Sequence, residues 1–153
     1  MPIDADAAKA LEFDEFSVDV ERGRLKFFAQ AIGQTDPVFS DLDAAQAAGH
    51  RDIPAPPTFL FSLGLEAAEP FGYLDDLGID LRFILHGGQE FDYRAPIYAG
   101  DTITLRERIV DVYSKRGGGL EFLVKRTEYL RGEELVGTAT STIVVRHPEG
   151  AAA

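Results

Sequence analysis

Acid–base chemistry needs a carboxylate or an imidazole beside the reacting proton. This chain has three histidines and no cysteine among 153 residues. A thiolate nucleophile and Cys-based zinc or iron–sulfur sites are therefore excluded, and no metal site is expected. His86 precedes Gly87-Gly88-Gln89, where missing side chains would let a ligand reach the backbone, although a glycine pair in a strand also marks a bulge. His50, ahead of Arg51, reads as a surface loop with the option of contacting a phosphate, and His147 falls in the tail and is set aside. Asp36 could act as a general base, but an Asp before Pro37 also makes a turn or a helix cap, and Asp41 and Asp43 read as caps. Glu66 and Glu69 close an apolar helical stretch, where an acid could activate water; their closeness to Pro70 points to a solvated helix end.

The surrounding field is acidic, with 26 Asp and Glu against 15 Lys and Arg and a formal net charge of −11. That sign repels nucleic acid and anionic lipid surfaces, while local Arg and Lys can still hold a small anionic coenzyme, since distant charges are screened over about 8–10 Å. The start, Met-Pro-Ile-Asp-Ala-Asp, has acid where an export signal needs base, and no long apolar run follows. A cytoplasmic protein without membrane segments is expected. Length and composition fit one globular domain over 1–146, with a frayed tail over 147–153.

These residues must be positioned by an α+β framework. Phe16, Val18 and Val20 alternate as a first strand, and Leu25, Phe28, Ala29 and Ile32 follow helical spacing until Gly33. A short helix through Asp43 to Ala48, capped by Ser40 or Asp41, ends at Gly49. Pro56 and Pro57 lead into a helix bearing Phe59, Leu60, Phe61, Leu63 and Leu65, apolar on nearly every side and so expected to be buried all round. After a loop through Pro70, Gly72 and Gly78, the period becomes two, with Phe83, Leu85, Gly87, Gln89, Phe91 and Tyr93 on one face of a long strand and His86 on the other. Three more strands, roughly Thr102 to Tyr113, Leu120 to Leu130 and Leu135 to Val145, are separated by Gly117-Gly118-Gly119 and Arg131-Gly132 and pair antiparallel. A change of parity between Leu105 and Val110 predicts a bulge near Glu107 to Ile109 and a curved sheet. Gly137, Ala139 and Ser141 leave room on one face for the apolar helix.

A buried helix wrapped by a curved antiparallel sheet resembles the hot-dog fold. Two stretches, FAQAIGQTDPVFSDLDAAQAAG from Phe28 to Gly49 and FDYRAPIYAGDTI from Phe91 to Ile103, resemble the MaoC-like (R)-specific enoyl-thioester hydratases and 3-hydroxyacyl dehydratases, particularly their N-terminal, A-type hot-dog subunits. The family's catalytic loop reads Gly-Asp-x-Asn-Pro-φ-His, where φ is aliphatic. Here Gly33-Gln34-Thr35-Asp36-Pro37-Val38-Phe39 matches it, so Gln34 replaces the catalytic Asp and Phe39 the catalytic His. Neither can exchange a proton in the useful range.

The resemblance implies an acyl-thioester-binding subunit without the catalytic pair. Its substrate would be an acyl-CoA or acyl-carrier-protein (ACP) thioester, with no further cofactor, and a second hot-dog subunit in a hetero- or homodimer would supply the missing groups. Substrate contacts are expected at Pro57, Thr58, Phe59, Leu60 and Leu63 and at His86, Gly87 and Gly88; Pro56 through Phe59 would hold the thioester carbonyl oxygen, and Leu60, Phe61 and Leu63 either line an acyl tunnel or form core. The rival readings are a self-sufficient hot-dog thioesterase or divergent hydratase using Asp36, His86 or Glu66, and a binding module without catalysis.

Overall fold

Acidic side chains cap two of the helices of this protein, whose computed structural model describes residues 2–147. Asp4 accepts the amide protons of Asp6 and Ala7 and opens α1 (Ala5–Lys9). Strand β1 (Phe16–Asp19) and α2 (Arg22–Ala31) follow, the latter burying Leu25 and Ala29. Asp41 accepts from the Ala44 amide to start α3 (Leu42–Ala47), and Gly49, at φ 93°, lets the chain leave it. The double proline leads to α4 (Phe59–Gly64), and α5 (Gly72–Asp76) occupies a stretch read as loop. Both α1 and α5 are five residues long, too short for periodicity to reveal.

The rest is sheet: β2 (Ile84–Tyr93), β3 (Thr102–Lys115), β4 (Leu120–Arg131) and β5 (Glu134–Arg146). All pairings are antiparallel in the order β1-β3-β4-β5-β2, so β1 and β2 are the edges. The fold is a hot dog. Helix α4 lies against the middle of the curved sheet: the Tyr129 hydroxyl donates to the Leu60 carbonyl at 3.1 Å, and a Cβ added at Gly137 would stand 3.7 Å from Leu60 Cδ1.

Four expectations are corrected. Helix α4 is not enclosed on every side: Phe59, Leu60 and Leu63 are fully buried, while Phe61 and Leu65 are 43% and 48% exposed. Six residues make under two turns, and one side of them borders an open cavity. In β2, a bulge at Gly87 separates the His86–Ile143 and Gly88–Thr142 pairs. It reverses the alternation, so His86 joins Gln89, Phe91 and Tyr93 on the helix-facing side and Leu85 falls on the other. Phe83 lies in a 3-10 turn ahead of the strand. The β3 bulge is at Val110, one residue beyond the expected span.

Gly87 needs its missing side chain, because a Cβ there would stand 2.5 Å from Val144 Cγ2 and 3.3 Å from the Thr142 carbonyl oxygen. Gly87→Ala is expected to cost about 1–3 kcal/mol, the usual range for overpacking. Urea unfolding would register it as a lower midpoint at unchanged slope. At the far end of the sheet, His147 is paired with Glu121 rather than frayed; residues 148–153 of the expected tail lie outside the described residues. Among the described residues no helix is long and apolar enough to cross a membrane.

Candidate functional site

Strand register brings polar side chains into the middle of the core. Ile109, Lys125, Ser141 and Gln89 pair in succession across β3, β4, β5 and β2, forming one row of inward residues. The neighbouring row is Glu107, Thr127, Ala139 and Phe91. One side of this belt is an apolar cluster around Leu60, Leu63, Leu105 and Val136; the other gathers Leu74, Ile109, Leu123 and Ile143. The core is therefore split, and a cavity of about 310 Å³ opens at the split between α4, α5 and the sheet.

Phe61, Leu65, Phe71, Leu74, Ile84 and Ile143 form its apolar walls. Lys125 Nζ donates to Glu107 Oε1 at 2.9 Å, with these side chains only 13% and 8% exposed, and Thr127 Oγ1 lies 3.2 Å from the same oxygen. Further along the same row, Ser141 Oγ donates to Gln89 Oε1 at 2.6 Å, and His86 Nε2 stands 3.2 Å from that oxygen. An amide oxygen only accepts, so this second bond requires the imidazole proton on Nε2. The ring also meets Phe61 edge-on, with centroids 5.4 Å apart. Burial pushes the Tyr73 and Tyr129 phenols upward, and nearby Glu107 adds to the shift, so both remain hydrogen-bond donors at ordinary pH.

A shallower hollow lies at the other end of α4, bordered by Phe39, His50, Ala55, Pro57, Tyr93 and Ile97. The Tyr93 hydroxyl donates to the Pro57 carbonyl and ties β2 to the lead-in of α4. His50 is half-buried rather than on the surface: its Nδ1 is 3.0 Å from the Tyr98 hydroxyl, and it borders the hollow together with Phe39. Arg51 stacks on the Tyr98 ring at 4.6 Å and pairs with Asp101, which also accepts from Arg131 Nη1 and the Tyr98 amide, each at 2.9 Å. This network anchors the turn from Tyr98 to Asp101, closed by the Asp101 amide on the Tyr98 carbonyl at 3.1 Å, beside the hollow.

Burial would raise the Asp101 pKa, but the Tyr98 amide and the two guanidinium groups outweigh it, and the net shift is downward. A carboxyl with a lowered folded pKa stabilises the protein above its unfolded value, near 3.8, and loses that contribution as pH falls toward the folded one. Unfolding curves from pH 6 to pH 2 should therefore show a drop below about pH 4 that is shallower in Asp101→Asn.

The other predicted residues scatter. Gln34 Oε1 accepts the Asp36 amide proton, and Asp36 accepts that of Val38, each at 3.0 Å, so both are turn-builders. Glu66 pairs with Arg24 at 2.9 Å on an exposed surface, away from the cavity. Phe59, Leu60 and Leu63 belong to the core and not to the cavity wall, because they occupy the face of α4 turned to the sheet centre. The Phe59 amide already donates to the Pro56 carbonyl at 2.9 Å, Thr58 makes no side-chain cap, and Pro57 borders the hollow. Gly87 forms the bulge and Gly88 follows it, while His86 does reach the cavity. Sequence reasoning missed Glu107, Lys125, Thr127 and Ser141. Their signal was present: each stands at an inward parity position, with Glu107 two residues after Leu105, and Lys125 and Thr127 between Leu123 and Tyr129. Among the described residues no group of three or more His, Asp or Glu gathers as a metal site.

The family described as FAS1-like, dehydratase domain region, matches residues 7–138. The chain belongs to this family. A UPF0336 protein of Streptomyces coelicolor is 36% identical over 133 residues, covering 87% of this chain and 88% of its own length. One from Parafrankia sp. is 36% identical over 152 residues, covering 95% and 96%. Solved structures agree on the fold. The HadBC (3R-hydroxyacyl-ACP dehydratase) complex of Mycobacterium tuberculosis superposes with a TM-score of 0.75 at 24% identity, over 88% of this chain and 99% of that one. A MaoC-like dehydratase from Phytophthora capsici gives 0.81 at 19% identity, over 97% of this chain and 52% of that one. This family member is thus a dehydratase-like hot-dog domain.

Proposed function

We propose that this chain is the acyl-thioester-binding, A-type subunit of an (R)-specific MaoC-like enoyl-CoA hydratase or 3-hydroxyacyl dehydratase, acting on CoA or ACP thioesters beside a catalytic hot-dog partner. The observation that carries the reading is the loop Gly33–Phe39, in which Gln34 and Phe39 stand where the family places Asp and His. The remaining candidate acids give no substitute pair. Asp36 is committed to its turn, and Glu66 is held by Arg24 outside the cavity.

What this chain offers instead is room for a ligand. Its thioester end fits the hollow at Pro57, Tyr93 and His50, and its acyl part the cavity between α4 and the sheet. Strand β2 is an edge, with Leu81 and Leu85 exposed beside it, and an open edge favours a second sheet. HadBC is by its description a complex of dehydratase subunits, which supports a partner of the same fold here.

The test is hydration of crotonyl-CoA and a longer trans-2-enoyl-CoA, followed by loss of the enoyl absorbance, with the chain alone and then with a hot dog carrying the intact Gly-Asp-x-Asn-Pro-x-His loop from a neighbouring reading frame. Turnover only in the mixture is expected. Turnover by the chain alone would overturn the reading and direct mutation to His86, Asp36 and Glu66.

A further inference from the structure

A purely alkyl ligand does not need the polar belt in the α4 cavity. Burying an ion pair such as Glu107–Lys125 costs several kcal/mol of desolvation per ion, and well-packed apolar residues at such positions are often as stable or more so. Donors also predominate around the cavity. Lys125 carries three N–H bonds, of which Glu107 takes one, and the Gln89 amide adds two that are held toward the cavity while His86 and Ser141 spend their protons on Gln89 Oε1. The unanswered chemistry is that of an acceptor oxygen. The apolar walls restrict the rest of such a ligand to a hydrocarbon chain.

We propose that this cavity selects an acyl chain carrying a hydroxyl or carbonyl oxygen far from its thioester end, held by Lys125 and by the Gln89 amide, which Ser141 and His86 orient. The inference rests on the thioester-binding reading only for the head group. Along β2, Gln89 lies four residues from Tyr93 at the hollow, about 13 Å at the usual rise per residue. The recognised oxygen is thus well beyond the carbons that a hydratase changes. A site built to bond an oxygen discriminates strongly against the analogue lacking it, because its buried polar groups are then left unpaired.

The test is calorimetric titration of the full chain with decanoyl-CoA and with its 7-, 8-, 9- and 10-hydroxy derivatives. At least one hydroxylated chain should bind about tenfold or more tightly than decanoyl-CoA. Ser141→Val with Gln89→Leu should reduce that preference to about twofold or less while decanoyl-CoA binds as well or better; Ser141→Ala is the milder variant should the pair fail to fold. Equal or weaker binding of all hydroxylated chains, or a preference that survives the variants, would overturn the inference. Octane and the octanol isomers, followed by amide NMR shifts at Gln89 and Ser141, separate the two readings. If no CoA thioester binds, the CoA form of the thioester reading fails, and the octanols decide the cavity: larger shifts than with octane support the oxygen site, and equal or absent shifts reject it.

Discussion

Lys125→Met is expected to lower the unfolding free energy by about 3–5 kcal/mol, because it strands the Glu107 carboxylate in the core. Glu107 is 8% exposed, and its Oε1 sits 3.7 Å from where a Cβ on Gly64 would be, so only the little water that reaches the inner wall of the cavity can replace the lost ammonium. Lys125 also lies 5.2 Å from the Tyr73 ring centroid, a contact that Met keeps in part. The double exchange Glu107→Leu with Lys125→Met should return to within about 1 kcal/mol of the parent or exceed it, since no charge then remains to be desolvated. Urea unfolding of all four proteins completes the cycle. A single-variant loss below about 1 kcal/mol would mean that the belt is wet in solution, and the ligand argument built on its burial would fall with it.

Leu60→Ala should cost about 2–5 kcal/mol, whereas Phe61→Ala, one residue along the same helix, should cost much less. Leu60 has no exposed surface and fills the space over Gly137, so its removal leaves a cavity between rigid strands. Phe61 faces the existing cavity, where deletion enlarges an open space that water can already enter. The contrast checks which side of α4 is core, and unfolding midpoints read it directly. Equal losses at the two positions would show that α4 is enclosed on all sides after all.

Much of the framework was legible in the chain. Period-two runs marked β3, β4 and β5 to within about two residues, the glycine and proline turns divided them, and small residues at Gly137 and Ala139 announced the close approach of a helix. Capping roles of Asp36 and Asp41 were equally readable, because a side chain that bonds an amide two or three residues away needs no distant partner. The face of His86 was not readable, because one bulge at Gly87 inverts every parity upstream of it, and a glycine pair does not say where the extra residue sits. His50 was misplaced for a related reason: its partner, Tyr98, is 48 residues away.

By itself, then, the sequence determined the α+β order of helices and antiparallel strands, which is written in local pattern, and, through its resemblance to a family, the hot-dog class and the absence of Asp and His at positions 34 and 39. Only the tertiary structure decided that α4 has a core face and a cavity face, and that Glu107, Lys125, Thr127, Ser141 and Gln89 meet in one belt. Those residues come from four strands, and strand register, which sets their meeting, depends on long-range pairing that no short stretch of sequence contains.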